Sequence, residues 1–491
     1  MSGLIPLAFA FPLTAGALGT LLRGRRAAQR LLTVAAALVV LALGVVLLAE
    51  VRTGGVVTDD VGAWPDGLAI VLAVDPLAAL MLCVTAGATL VALTVAWARG
   101  EDDHPLFHPL VASLLAGVVL ALVTADLFNL FVAFEVMLIA SYVLLALRGG
   151  RDQVRAGVVY VGTNLLASAL FLLGVGLVYG ATGTVNLARL ATAVPGDPAA
   201  LAGLSLLLVA VAAKAGLVPL HGWLPRAYVH AGPAVTVLFS GLLTKVGVYV
   251  LYRLTSLILV DVTGLAPWLV AVAAVTMVVG VVGAVGGKDM RGILTFHMVS
   301  QVGYLVLPLG LMTVDAVAAG VLYLVQYVAV KAALLAVAAA TRSLEGSDRL
   351  ADLGGLLRTR PALGIAFLLP ALALAGLPPT SGFVGKYLLI DAAFAAGSWW
   401  GGAVMLVVSL LTLLSMIKIL TGAFWGERPE RPDPGHVLTA TRRRVLVGVP
   451  LVIGVAAVLL GPAAAPLLEL ARDVATGLVD PSGYLTAVVR P

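Results

Sequence analysis

The chain has 491 residues, of which 61% are hydrophobic and 11% are charged, and its mean hydropathy is +1.09. A soluble core of this length could not bury so many apolar residues, so the composition excludes a soluble protein and predicts a polytopic membrane protein. The formal charge of +5 comes from basic residues scattered among short loops, which gives no indication of a nucleic-acid partner.

Apolar runs of about 17–25 residues have the length of membrane-spanning helices. The sequence predicts fourteen such helices with no soluble domain between them. They cover approximately residues 4–22, 31–49, 76–97, 107–125, 127–147, 156–180, 201–219, 233–252, 266–286, 293–312, 315–341, 362–390, 401–424 and 445–467. The connections 50–75 and 425–444 are predicted to be linkers, and the tail after Leu467 to form at most a short interfacial helix.

Basic residues are divided unequally between the two sides that these spans define. Twenty lie in the first connection and in every second connection after it. The opposite side has five, which are Arg52, Arg189, Arg253, Arg472 and Arg490. Because short cytoplasmic loops are rich in Lys and Arg, this distribution predicts a bacterial inner-membrane protein with both termini outside the cytoplasm.

Two segments repeat one motif: residues 215–223 read AGLVPLHGW and residues 375–383 read AGLPPTSGF. They fall on predicted helices seven and twelve, which cross the membrane in opposite directions, so the motif predicts an inverted repeat. In transporters, helices interrupted by Gly and Pro at corresponding positions mark the ion pathway. The predicted helix breaks are at Gly216, Pro219, Gly376, Pro378 and Pro379.

The whole chain, 1–491, is therefore predicted to form a single all-α membrane domain with two inverted five-helix repeats. Its parts are the first three helices (1–106), helices four to eight (107–252), helices nine to thirteen (266–424) and helix fourteen (445–467).

Five of the six lysines lie inside apolar spans, whereas nearly all of the arginines lie in polar connections. The five are Lys214, Lys245, Lys331, Lys386 and Lys418. A cation at the centre of a membrane helix costs about 2.5–3.5 kcal/mol, so an intramembrane charge is a functional candidate by default. Arginine keeps its proton in proteins, whereas a buried lysine can release it. Together with the intramembrane carboxylate Glu135, these lysines predict a proton carrier.

Structural roles compete with function at three positions. Lys418 lies seven residues before Trp425 and can extend its amine to the membrane interface. His297 can satisfy a hydrogen bond in the core, and His221 lies in the connection after helix seven.

Several segments together resemble a known superfamily. They are NLFVAFEVMLIASYVLL (129–145), KAGLVPLHGWLPRAYVHAGPAVTVLFSGLLTKVGVYVLYR (214–253), DMRGILTFHMVSQVGYL (289–305), GLPPTSGFVGKYLL (376–389) and SMIKILTGAFWGE (415–427). The chain resembles the antiporter-like membrane subunits of complex I. Within that superfamily it is most similar to the multisubunit Mrp-type Na+/H+ antiporters.

The resemblance implies a proton pathway through Glu135, Lys214, Lys245, His297, Lys331 and Lys386. The first three residues would form a first half-channel, His297 would link the halves, and Lys386 would be the terminal carrier. Weaker candidates are Lys418, His221, Gln326, Tyr327 and Ser300. Gln326 and Tyr327 stand where the family has a histidine pair, so water would have to replace a direct imidazole relay there.

Two functions are compatible with this pattern. One is a proton-translocating subunit of a monovalent cation (Na+)/H+ antiporter, and the other is a proton-pumping subunit of a complex I-type dehydrogenase or a membrane-bound hydrogenase. Neither makes this chain a redox enzyme, because it has no Cys cluster, flavin motif or haem-ligand pattern. We therefore expect no cofactor and no metal site. The expected partners are other subunits of the antiporter complex, H+ and Na+, and the lipid bilayer.

Overall fold

The computed structural model describes residues 2–64, 69–194, 196–259, 262, 264–427 and 438–489. Arg490, which contributed to the predicted orientation, lies outside them. The helices are α1 (Ile5–Leu21), α2 (Arg26–Gly54), α3 (Pro76–Arg99), α4 (Phe107–Val123), α5 (Leu127–Ala146), α6 (Arg151–Thr182), α7 (Leu187–Ala193), α8 (Pro198–Ala215), α9 (Trp223–Tyr228), α10 (Pro233–Leu254), α11 (Leu265–Gly286), α12 (Met290–Leu311), α13 (Val314–Glu345), α14 (Leu356–Thr359), α15 (Pro361–Ala375), α16 (Ser381–Ala395), α17 (Trp399–Ile419), α18 (Ala440–Leu459), α19 (Ala465–Val479) and α20 (Ser482–Val488).

Short elements complete the described chain. Two π-helical turns, Thr255–Leu259 and Leu420–Phe424, extend α10 and α17. One antiparallel hairpin pairs β1 (Val57–Asp60) with β2 (Val71–Val74). Within the described residues, ten helical spans are long and apolar enough to cross a membrane, and α1, α4 and α15 are shorter apolar helices. The predicted all-α polytopic membrane fold is therefore confirmed.

Three helices form the centre of the molecule. All residues of α10 are buried, and α12 and α13 are buried along most of their lengths. Around them, helices such as α2, α6 and α17 bury one side and expose large apolar residues, including Leu31, Leu166 and Leu410, on the other. This arrangement suits a bilayer, where apolar side chains face lipid and polar groups are kept between helices.

Both predicted helix breaks are present and have the same construction. The helices α8 and α15 end at Gly216 and Gly376, whose φ angles of 82° and 84° are left-handed and favour glycine. In each case the next residue, Leu217 or Leu377, donates its N–H to the carbonyl five residues earlier. Pro219 follows the first break and Pro378 and Pro379 follow the second, before the chain becomes helical again.

The C-terminal region differs from the prediction in two ways. Helix fourteen was predicted to continue to residue 467, but α18 ends at Leu459, because Gly461 and Pro462 do not continue a helix. The tail then forms two helices, and α19 packs on α13 through an apolar side that includes Val474 and Leu478.

The predicted linker 50–75 is also more ordered than expected. It contains the β1–β2 hairpin and ends in Asp75, whose carboxylate caps α3 by accepting from the N–H of Ala78 at 2.9 Å. Asp75 also forms a two-pronged ion pair with Arg253. The prediction that Arg253 is a loop cation is therefore wrong: it is 4% exposed, because the carboxylate compensates its charge inside the fold.

Candidate functional site

Four of the five intramembrane lysines are buried among the central helices and both helix breaks. Lys214 ends α8, Lys245 is on α10, Lys331 is on α13 and Lys386 is on α16, and none of them is more than 4% exposed. The structure therefore places two of these four lysines on the central helices α10 and α13 and the other two on helices that pack against them.

Glu135 and Lys214 are joined by a residue that the sequence analysis missed. The hydroxyl of Ser168, on α6, donates to Glu135, and the Lys214 amine donates to the Ser168 oxygen at 2.9 Å. The amine also lies 4.9 Å from the centre of the Phe134 ring, which favours a cation. Glu135 is half-buried, so this acid–base pair extends from the interior to the side of the subunit. A lone serine in an apolar helix carries no sequence signal for such a role.

Lys245 lies next along the predicted pathway. Its helix, α10, crosses α8 closely, because a Cβ at Gly247 would come within 2.8 Å of the backbone nitrogen of Ala215. The Lys245 amine donates to the Thr244 hydroxyl at 3.0 Å and lies 4.6 Å from the centre of the Tyr327 ring. Tyr327 thus contributes an aromatic face to Lys245.

His297 and Lys331 occupy the middle of the molecule. Nε2 of His297 lies 2.5 Å from the hydroxyl of Ser415 on α17. The Lys331 amine is buried without a hydrogen-bond partner from the described residues. Lys331 lies close enough to Lys245 for their charges to interact, and His297 lies close enough to interact with the charges of Lys331 and Lys386. These groups therefore form one electrostatically connected series.

Lys386 lies directly at the second helix break. Its amine donates to the carbonyl of Ala375, the last residue of α15, at 3.2 Å. Its aliphatic chain passes so close to Gly376 that a Cβ there would lie 2.7 Å from Lys386 Cδ. The ring of Tyr304 lies 5.0 Å from the amine. The break thus supplies a free helix-end carbonyl and the room for the lysine beside it.

A set of buried polar atoms along these helices has no hydrogen-bond partner within the described chain. It comprises Tyr228 Oη, Ser240 Oγ, His297 Nδ1, Ser300 Oγ, Gln301 Nε2, both amide atoms of Gln326, Tyr327 Oη and Lys331 Nζ. Buried polar groups are normally satisfied, and buried water is the usual partner where protein supplies none. These atoms therefore have hydrogen-bonding capacity that the described chain does not use. Tyr228 and Ser240 were not predicted from the sequence.

Lys418 and His221 form no hydrogen bond with the described members of this series. The Lys418 amine donates to the carbonyls of Val285 and Gly287 at 2.8 and 2.7 Å, at the carboxyl end of α11. That is a favourable place for a fixed cation, because helix carbonyls there lack partners. His221 is half-buried in the short turn between α8 and α9. Among the described residues, no group of three or more His, Cys, Asp or Glu residues could hold a metal ion.

Comparison with known proteins gives consistent matches. Residues 124–412 match the family described as NADH:quinone oxidoreductase/Mrp antiporter, transmembrane. Two relatives that are named as Na+/H+ antiporter subunits are similar over 100% of both chains: the protein of Alkalihalophilus pseudofirmus at 39% identity and that of Bacillus subtilis at 33%.

Solved structures show the same relationship. A chain of the Mrp complex from a Dietzia species has a TM-score of 0.95 and 39% identity, covering 100% of this chain and 99% of that one. A chain of respiratory complex I from Thermus thermophilus has a TM-score of 0.76 and 26% identity, covering 95% and 99%. The chain therefore belongs to the NADH:quinone oxidoreductase/Mrp antiporter family.

Proposed function

We propose that this chain is the proton-translocating subunit of a multisubunit Na+/H+ antiporter in a bacterial cell membrane, with both termini outside the cytoplasm. Protons would move along the buried series that begins at Glu135 and ends at Lys386. The observation that carries the proposal is that three buried lysines, Lys245, Lys331 and Lys386, lack a carboxylate within ion-pair distance in the described chain, and that Lys214 reaches Glu135 only through Ser168. A lysine that no carboxylate holds in its charged form can release a proton.

The Glu135–Ser168–Lys214 bridge is suited to start the transfer. While Lys214 is protonated, its charge is stabilised by the Glu135 carboxylate through the Ser168 hydroxyl. A cation that approached the half-buried Glu135 would weaken that stabilisation, so Lys214 would release its proton inward. A new proton on Lys245 would repel a proton on Lys331, so the charge would advance along the series. Water bound at the unpaired hydroxyls of Tyr327 and Ser300 would carry the proton between side chains.

Sodium binding would depend on partner subunits. Na+ prefers carboxylate and carbonyl oxygens, as other hard cations do. Glu135 is the carboxylate in the buried series, and Lys214 competes for it through Ser168. The division of labour would therefore be a proton route in this chain and a cation site that partner subunits complete.

The relatives favour antiport over the alternative, a proton-pumping subunit of a complex I-type dehydrogenase or a membrane-bound hydrogenase. Identity is 39% over the full length with a protein that is named as a Na+/H+ antiporter subunit, against 26% with the chain of complex I. Both functions use the same lysines, but only antiport requires proton movement to depend on a monovalent cation.

The test uses the Glu135→Ala and Lys214→Ala variants within the complete complex. Fluorescent-dye measurements of the pH gradient in everted vesicles should show that each substitution abolishes Na+-dependent proton movement, while immunoblots show an assembled complex. Near wild-type activity in either assembled variant would contradict the proposed pathway. Proton movement that is driven by an electron donor and is independent of Na+ would instead support the redox alternative.

A second experiment tests the division of labour. The chain purified alone into liposomes should show no Na+-dependent proton exchange, whereas the complex should. Exchange by the isolated chain at the rate of the complex would place the cation site in this subunit.

A further inference from the structure

A cavity between α15 and α18 lies outside the lysine series. It has a volume of about 510 Å³ and opens at the ends of these helices on the arginine-rich side of the membrane. That volume is within the range of roughly 300–1,000 Å³ that is usual for sites that bind small molecules. Nothing in the proposed proton route uses this cavity.

The charged residues that line the cavity are all basic. They are Arg360, Arg443 and Arg444, and none of the described acidic side chains lines it. Arg360 is held by Glu345, with Nε 2.6 Å from the carboxylate. Arg443 and Arg444 are exposed and form no side-chain hydrogen bond or ion pair within the described chain. The large cavity around Arg291 and Asp348 differs, because four carboxylates line it together with its six arginines.

The rest of the cavity is apolar. Leu363 of α15 and Val447 and Leu451 of α18 line it, so the apolar wall runs about 10 Å along α18 beyond Arg444. Gly448 lies within this wall, and a Cβ there would meet no atom within 4 Å. The cavity thus offers paired cations at the membrane surface and an apolar groove that runs towards the membrane interior.

We propose that this cavity binds an anionic phospholipid, with its phosphate at Arg443 and Arg444 and one acyl chain along Val447, Gly448 and Leu451. The charge selects an anion, and the groove selects one that carries a hydrocarbon chain. Basic cavities between membrane helices bind acidic headgroups by the same attraction. A free phosphate would use the arginines but gain nothing from the groove, and an acidic protein segment would not need the groove to be apolar.

The test is native mass spectrometry of the full chain with its bound subunits in mild detergent, titrated with phosphatidylglycerol and, separately, with zwitterionic phosphatidylethanolamine. The wild-type protein should retain phosphatidylglycerol preferentially. The double variant Arg443→Gln/Arg444→Gln should bind it about 25-fold more weakly, because each arginine near an anionic headgroup contributes roughly a factor of five. Arg358→Gln is the matched control, since Arg358 is exposed on the same side and does not line the cavity.

A second variant separates lipid from other anions. Gly448→Leu places a side chain in the groove, at a position where a Cβ has no neighbour within 4 Å, and leaves both arginines in place. It should therefore displace phosphatidylglycerol while preserving the fold and the surface charge. Equal retention of the two lipids by wild type, or unchanged phosphatidylglycerol binding in both variants, would overturn the proposal. A protein segment seen in this cavity by cryo-electron microscopy of the complex would do the same.

Discussion

Buried arginines and buried lysines have different kinds of partner in this molecule. Arg253 and Arg291 each form an ion pair with an aspartate, at Asp75 and Asp348. The four buried lysines instead contact hydroxyls, a helix-end carbonyl or aromatic rings, and Lys331 has no hydrogen-bond partner within the described chain. Both sets carry a basic group inside the protein, but among these described residues only the arginines contact an opposite charge directly.

In the proposed route, this difference in partners separates the fixed charges of the arginines from the mobile charges of the lysines. A buried pair that excludes water must keep both partners, since loss of one leaves an uncompensated charge. A lysine beside neutral partners can exist with or without its proton, at a smaller electrostatic cost for the change. The arginine pairs therefore hold helices together with fixed charges, whereas the proposed proton route requires the lysines to change their protonation.

The largest effect on stability is expected at the Arg253–Asp75 pair. Arg253→Leu leaves Asp75 charged and buried, which should lower the free energy of unfolding by about 3–5 kcal/mol. The measurement is the loss of folded chain on heating in detergent. Arg52→Leu is the control, because Arg52 pairs with Asp473 at the surface and such pairs contribute about 0–1 kcal/mol. Equal destabilisation by the two variants would show that burial does not distinguish these pairs.

A smaller loss, of transport rather than stability, is expected at the serine bridge. Ser168→Ala removes the hydroxyl between Glu135 and Lys214, so initial rates of Na+-dependent proton movement should fall about tenfold, equivalent to about 1.4 kcal/mol of barrier. Ser205→Ala provides a matched control, because that exposed hydroxyl bonds only to its own helix. A wild-type rate in Ser168→Ala would mean that Glu135 and Lys214 communicate without the serine.

The smallest transport effect is expected at Lys418. Its amine caps α11, and a guanidinium can also donate to those carbonyls, so Lys418→Arg should transport at close to the wild-type rate. Lys418→Met removes the hydrogen-bond donor and should lower the free energy of unfolding by about 1–2 kcal/mol. Abolished transport in an assembled, stable Lys418→Arg protein would place Lys418 in the proton route.

Sequence patterns predicted the features that depend on local composition. Apolar runs located the spans, and the Gly/Pro motif located both breaks, because a left-handed residue followed by proline ends a helix whatever surrounds it. Lysines inside apolar runs marked the candidate site residues, because their insertion cost leaves few structural explanations.

Features that depend on distant contacts could not be predicted in this way. Ser168 gains its position from the packing of α6 against α5 and α8, and Arg253 is buried only because the segment before α3 brings Asp75 to it. The packing of α19 into the fold was not predicted, because its apolar side is covered by α13, a helix that lies far away in sequence.

The most direct test of the central claim compares Lys386→Arg with Lys386→Ala in the assembled complex. Arginine keeps the positive charge beside the Ala375 carbonyl and the Tyr304 ring, but it cannot release a proton. If Lys386 carries protons, both variants should fall below about a tenth of the wild-type rate in the everted-vesicle assay. A high rate in Lys386→Arg, with Lys386→Ala inactive, would show that the lysine acts as a fixed charge and would contradict the account.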